Sequence, residues 1–224
     1  MKGQVKKPGC GVILDMDGVI LDSEPIHLEA TNRVLKKYGA ELSYRENLSL
    51  QGTAEIPYWK ILMERFGFSE DVKKLIEEKE KHMFEILSRK ELVPNEGLME
   101  FLLALRKRGI PIGLASSSQL NQINFILRKL GLREFFSAIT SGEEVSEGKP
   151  EPQIYLETAR RLGVPPERCV AIEDSRNGLI SAKRAGMKVI AYRNDFGLDV
   201  DMKINSFLEL KDLKFLEEFG LLED

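Results

Sequence analysis

Four short runs of consecutive apolar residues punctuate the chain, at positions 12–14, 110–114, 170–172 and 189–191. They are continuous rather than alternating, the pattern of strands covered on both faces in a parallel sheet. A weaker run at 136–140 predicts a fifth strand. Between them the apolar spacing is helical. Leu120, Ile123, Leu127 and Leu130 share a face, with Ser117 or Ser118 as N-cap and Gly131 as the stop. Residues 154–162 begin behind Pro152 and end at Gly163, and residues 179–185 follow Ser175 and end at Gly186. Strand and helix in regular succession predict an α/β, doubly wound, Rossmann-like parallel sheet.

One stretch breaks the succession. From Asp22 to Lys90 the pattern is helical, with no convincing strand. Ile26, Ala30, Val34, Leu35 and Tyr38 mark one helix closed by Gly39, and Val72, Leu75, Ile76, Met83 and Leu87 mark another. Residues 70–91 are dense in charge, including Glu77–Lys81 and Glu85–Arg89 at i,i+4, which reads as a solvated face with weak ion pairs and no binding pattern. His82 within it reads as an ordinary surface histidine. Residues 22–90 therefore form an inserted α-helical domain, and residues 1–21 and 91–224 the core.

The 33 basic and 36 acidic side chains leave a net charge of −3. That argues against a nucleic-acid partner, which calls for a basic stripe. The apolar run behind the basic N-terminus is cut at Asp15, too short for a signal peptide. The longest uncharged stretch, 109–127, carries serines, asparagines and glutamines that a bilayer would leave unpaired. The expectation is a cytoplasmic monomer with no membrane partner.

The chemistry gathers at strand ends. Asp15-Met16-Asp17-Gly18-Val19 follows the first strand directly. Residues two apart in an extended backbone face the same side, so both carboxylates converge on the edge where open α/β sheets bind ligands. Paired acids of this kind call for a hard cation such as Mg²⁺, although an Asx turn would use the same residues. Ser116, Ser117 and Ser118 end the second strand and open a helix, a hydroxyl-plus-amide anion site. Lys149-Pro150 precedes a helix, and Glu173-Asp174-Ser175 ends a later strand with two acids, of which Asp174 would also serve as an N-cap.

These four motifs, in this order, resemble the haloacid dehalogenase superfamily, and the helical insert resembles the cap of its β-phosphoglucomutase-like branch. The resemblance covers nearly the whole chain. It implies a Mg²⁺-dependent phosphate-transfer enzyme with an aspartyl-phosphate intermediate. By that resemblance Asp15 is the nucleophile and Asp17 the general acid–base. Ser116 and Lys149 hold the phosphoryl oxygens. Asp174 and Glu173 join Asp15 and the Asp17 carbonyl around the metal. His27, Gln51, Gly52 and Ser117 fall at substrate-binding positions.

The cap departs from the mutase pattern. Gln51 stands where the mutases carry a basic residue, Glu55 where they carry an arginine for a second phosphate, and Gln119 where they carry a lysine. Holding a bisphosphate needs those cations. The expected function is therefore a phosphatase of small phosphorylated metabolites, such as sugar or polyol phosphates. A mutase is the first alternative and a non-catalytic binding protein the second. If the family fold holds, counting back five residues from Asp15 and from Asp174 sets Cys10 and Cys169 side by side on neighbouring strands. That is within disulfide reach, although free thiols are the expectation for a reducing compartment.

Overall fold

The computed structural model describes residues 9–50, 53 and 55–221. The chain divides into two compact units, Met1–Asp22 with Val93–Asp224, and Ser23–Leu92. Gln51 and Gly52 lie outside the described residues.

The first unit is built on a six-stranded parallel sheet: β1 (Gly11–Leu14), β2 (Ile112–Ser116), β3 (Ala138–Ser141), β4 (Cys169–Glu173), β5 (Lys188–Tyr192) and β6 (Met202–Ile204), in the order β3-β2-β1-β4-β5-β6. This is the doubly wound α/β fold that the apolar runs predict. β1 sits centrally between β2 and β4, and the strand order reverses direction there, the position where such sheets gather ligands. Helices α5 (Leu98–Lys107), α6 (Leu120–Lys129), α7 (Gln153–Leu162), α8 (Arg176–Arg184) and the short α9 (Lys214–Glu218) complete the unit. Tyr155 and Ala159 of α7 and Leu179 and Ala182 of α8 pack with Ile13, Ala171, Val189 and Ala191 into one apolar layer. Phe101 of α5 stacks near Phe207, which lies against Tyr192, with centroids 5.3 and 5.1 Å apart.

Two local expectations, the N-cap after β2 and the placement of the cysteines, are corrected, and one strand is added. The helix after β2 has Gln119 at its N-cap and no side-chain cap bond, because Ser118 spends its hydroxyl on Asp17 instead. β6 has no apolar run to announce it, being three residues long with Lys203 exposed. The cysteines are free thiols, as expected, and only their side-by-side placement is corrected. The register pairs Cys169 with Gly11, one residue out of step with the count, and a slip of one turns a side chain to the opposite face. Cys169 accordingly packs in the layer with Ile13 and Ala171, whereas Cys10 has the parity of Val12 and Leu14.

The second unit is all helical: α1 (Glu24–Leu35), α2 (Tyr44–Ser49), α3 (Glu55–Phe66) and α4 (Val72–Arg89). Pro25 opens α1, Ser43 and Glu46 form a reciprocal capping box for α2, and the Asp71 carboxylate accepts from Lys73 N–H at the start of α4. Val34, Leu35, Leu42, Trp59, Leu62 and Leu75 fill its core. The charged helix is not solvated all round. Lys79 is 5 % exposed and its ammonium donates to both Glu55 oxygens at 2.7 and 3.2 Å. A buried ammonium is held only where a partner and polar neighbours replace water, and Glu55 supplies that partner from another helix.

Candidate active site

β1 ends at Leu14, and the Asp15 amide donates to Ile172 O at 3.1 Å, which carries the β1–β4 pairing one residue past the strand. Asp15 is thereby buried at the carboxyl edge of the sheet, 7 % exposed. The chain then folds back at once. Gly18 N–H donates to Leu21 O at 2.9 Å and Ile20 N–H to Met16 O at 2.8 Å, with Gly18 at φ +78. A side chain there would be strained, and its Cβ would lie 1.9 Å from the Asp174 carboxylate. This tight turn leaves Asp17 half-buried, its carboxylate accepting from the Ser118 hydroxyl at 2.9 Å.

Lys149 joins the strand ends. Its three ammonium hydrogens meet three acceptors: Asp15 at 2.5 Å, Glu173 at 2.5 Å and Ala115 O at 3.1 Å. Ser116, fully buried at the end of β2, accepts from Ser118 N–H at 3.1 Å. Glu173 ends β4 and accepts from Tyr155 OH at 2.7 Å, from the Ser175 hydroxyl at 3.0 Å, and from the amides of Asp174 and Ser175 at 3.2 Å. Ser175 is the cap of α8, its hydroxyl accepting from Gly178 N–H, so Asp174 is left out of the cap.

Asp15, Glu173 and Asp174 each present an oxygen within 4.8 Å of the others. Burial pushes Asp15 up to about 8, with Lys149 pulling down and Glu173 and Asp17 pushing up. Burial likewise raises Asp174 to about 9, with Asp15, Glu173 and Asp17 adding to it. Burial opposes the charge on Lys149, but Asp15 and Glu173 outweigh it and hold the ammonium well above its ordinary range. One lysine does not balance this many carboxylates, and hard oxygen donors crowded in this way suit a small divalent cation.

The sequence-predicted residues Asp15, Asp17, Ser116, Lys149, Glu173 and Asp174 thus lie at one sheet edge. Ser117 is exposed beside them. His27 belongs to the helical unit, where it lines a cavity of about 170 Å³ together with Glu24, Asn47, Glu55, Tyr58 and Lys79. In that cavity Tyr58 OH donates to Asn47, and the Asn47 amide donates to Glu24. Sequence reasoning missed Lys79, whose burial depends on Glu55 twenty-four positions away. It also missed Tyr155, whose place on the apolar face of α7 reads as core until its hydroxyl is seen to reach Glu173.

The acids that follow β1 and end β4, with Lys149 between them, thus gather at the carboxyl edge of a doubly wound sheet. The sequence profile of haloacid dehalogenase-like hydrolases matches residues 12–192. The chain belongs to that family. It is 37 % identical over 182 residues to a phosphorylated carbohydrates phosphatase of Thermotoga maritima, covering 80 % of this chain and 82 % of that one. It is 35 % identical over 216 residues to hexitol phosphatase B of Escherichia coli K12, covering 90 % and 95 %. Among solved structures, a β-phosphoglucomutase from Clostridium difficile superposes with a TM-score of 0.80 at 27 % identity, over 94 % and 96 % of the two chains.

Proposed function

We propose that this chain is a Mg²⁺-dependent phosphatase of small sugar or polyol monophosphates that works through a phosphorylated Asp15. The observation that carries the reading is the pair Asp15 and Asp17, held two residues apart by a tight turn, with Lys149 bridging Asp15 to Glu173. The relatives named for phosphorylated carbohydrates and hexitols support the substrate class.

An Asp15 oxygen attacks phosphorus as the ester P–O bond breaks, and Asp17 gives its proton to the departing alkoxide. In the second half Asp17, now ionised, takes a proton from water. That water attacks phosphorus, the Asp15–phosphorus bond breaks, and inorganic phosphate leaves. In this reading Ser116 and Lys149 hold the transferring oxygens, Lys149 exchanging one of its present acceptors for a phosphoryl oxygen, and Ser118 orients Asp17. Asp15, Asp174 and Glu173 would hold Mg²⁺, with the Asp17 carbonyl as a further donor. When bound, the ion supplies positive charge that favours ionised Asp15 and offsets the charge of the phosphoryl group.

The helical unit is read as the cap, spanning residues 22–90, and His27, Gln51, Gly52 and Ser117 as substrate contacts. Among the described residues lining its cavity, Lys79 is the lysine or arginine, and Glu55 already neutralises it. A site of that kind recognises hydroxyls rather than a second phosphate, which favours the phosphatase over the mutase. We place the enzyme in the cytoplasm as a monomer acting on small phosphorylated metabolites. No described helix is long and apolar enough to cross a membrane.

The test is release of phosphate from p-nitrophenyl phosphate and from a panel of sugar and polyol phosphates with Mg²⁺. Turnover is expected from the wild type and none from Asp15→Asn. Absence of turnover on every phosphoester would overturn the reading in favour of a binding protein. Formation of glucose 6-phosphate from β-glucose 1-phosphate would assign the mutase.

A further inference from the structure

The turn that presents Asp17 is held from behind by a residue distant in sequence. Asn95 is 8 % exposed and stands just before α5, on the segment by which the chain re-enters the first unit. Its side-chain amide donates to Gly18 O at 2.7 Å and to Val19 O at 2.8 Å. Its backbone amide donates to Ile20 O at 2.8 Å. Its carbonyl oxygen faces the Arg193 guanidinium at 3.4 Å, and Arg193 leans over the Tyr192 ring, 4.8 Å from its centroid.

Two sets of hydrogen bonds hold residues 16–21. Inward, the turn satisfies itself through Gly18 N–H to Leu21 O and Ile20 N–H to Met16 O. Outward, the carbonyls of three consecutive residues, 18, 19 and 20, all end on Asn95. Both amide hydrogens are used, so an aspartate of the same shape would set a carboxylate against two carbonyls, and a leucine would leave both unpaired. The Asp17 carboxylate is held by Ser118 on one side, and the carbonyls of Gly18 and Val19, which follow it in the turn, are held by Asn95 on the other.

We infer that Asn95 is a positioning residue for Asp17: it fixes the backbone that aims the proton donor, without touching substrate. The inference rests on the phosphatase reading above. Proton transfer depends on sub-ångström placement, so loosening the turn acts on the acid step while leaving phosphate binding by Ser116 and Lys149 in place. A leaving group that needs no proton separates the two. p-Nitrophenolate departs without protonation, whereas a sugar alkoxide does not.

The experiment compares single-turnover phosphoryl transfer to the enzyme from a sugar phosphate accepted by the wild type and from p-nitrophenyl phosphate, in wild type, Asn95→Leu and Asn95→Gln. Asn95→Leu is expected to slow transfer from the sugar phosphate by about 10- to 100-fold, with KM within about twofold and transfer from p-nitrophenyl phosphate far less affected. Asn95→Gln, which keeps the donors, restores part of the rate. If Asn95→Leu does not fold, Asn95→Gln carries the test alone, its slowing again confined to the sugar phosphate. Equal slowing on both substrates, or no slowing, overturns the positioning role. A wild type inactive on every phosphoester sinks the phosphatase reading itself, a different result from an active wild type indifferent to Asn95.

Discussion

Gly18→Ala separates the conformational and the chemical demands placed on the turn after Asp15. The residue sits at φ +78, where an L-residue is disfavoured by about 1–2 kcal/mol. For a chain of this size each kcal/mol lowers Tm by roughly 2–4 °C, so strain alone lowers it by about 2–8 °C. The added Cβ would stand 1.9 Å from Asp174 Oδ2 and 2.5 Å from its Cγ. Asp174 must retreat by about 1.5 Å to reach ordinary contact near 3.4 Å. The carboxylate is the free end of a short side chain and swings aside at little energetic cost, so the larger effect falls on function. Mg²⁺ demands near-ideal geometry, and a ligand displaced by that much is lost to it. The Mg²⁺ concentration for half-maximal phosphatase activity should rise by at least about tenfold, well beyond what the lost stability explains. Gly109→Ala is the control: φ is +68, nothing lies within 4 Å of the added Cβ, and it carries the strain without the displacement. The assay is a Mg²⁺ titration of phosphate release beside a thermal melt for each variant. A Gly18→Ala enzyme with wild-type Mg²⁺ dependence, or one no different from Gly109→Ala in that dependence, refutes the reasoning.

Metal binding and pH should be linked in a definite direction. A carboxyl whose folded pKa is raised binds its proton more tightly folded than unfolded, so its stabilisation is present at low pH and lost on the way up to about 8 for Asp15 and about 9 for Asp174. Without metal, Tm should therefore fall from about pH 5 to about pH 8, and the rise in Tm produced by Mg²⁺ should grow over the same range; a Mg²⁺ shift independent of pH contradicts this. Tyr155→Phe removes the 2.7 Å bond to Glu173 and should weaken Mg²⁺ by about 10-fold with a stability loss of about 1–3 kcal/mol, read by the same titration and by urea unfolding. Burial raises both thiols, Cys169 to about 12, so neither Cys10 nor Cys169 should react with a thiol reagent at neutral pH until the protein is unfolded, and the unfolded chain should titrate two thiols without reductant.

Local signals in the sequence carry the sheet and the acids. Continuous apolar runs mark five of the six strands, and the helix stops at Gly39, Gly131, Gly163 and Gly186 follow backbone rules that need no tertiary context. α5 was hidden for the opposite reason: residues 98–105 are so nearly apolar that the helical spacing of Leu98, Phe101, Leu102 and Leu105 does not stand out. Lys79 and Tyr155 escape because each is defined by a partner on another element. Periodicity reports which face a residue occupies and says nothing of what waits there.

The cysteines show where functional reasoning and strand geometry part. Aligning Asp15 with Asp174 is sound chemistry, since both lie in one acidic cluster, yet the hydrogen-bonded register pairs Leu14 with Ile172 and so sets Asp15 level with Glu173. Asp174 reaches the cluster from beyond the end of β4, where the chain has left the pleat and strand parity no longer governs direction. A shared site is a statement about side-chain ends, which bend toward a common charge. A shared register is a statement about backbone, which cannot. Counting back from the acids carried the first kind of fact into the second, and the pairing of Cys10 with Cys169 came out one residue from the true register, which sets Gly11 against Cys169. The same distinction explains Asn95: it contributes to the site through backbone carbonyls, so no pairing of functional side chains would have found it.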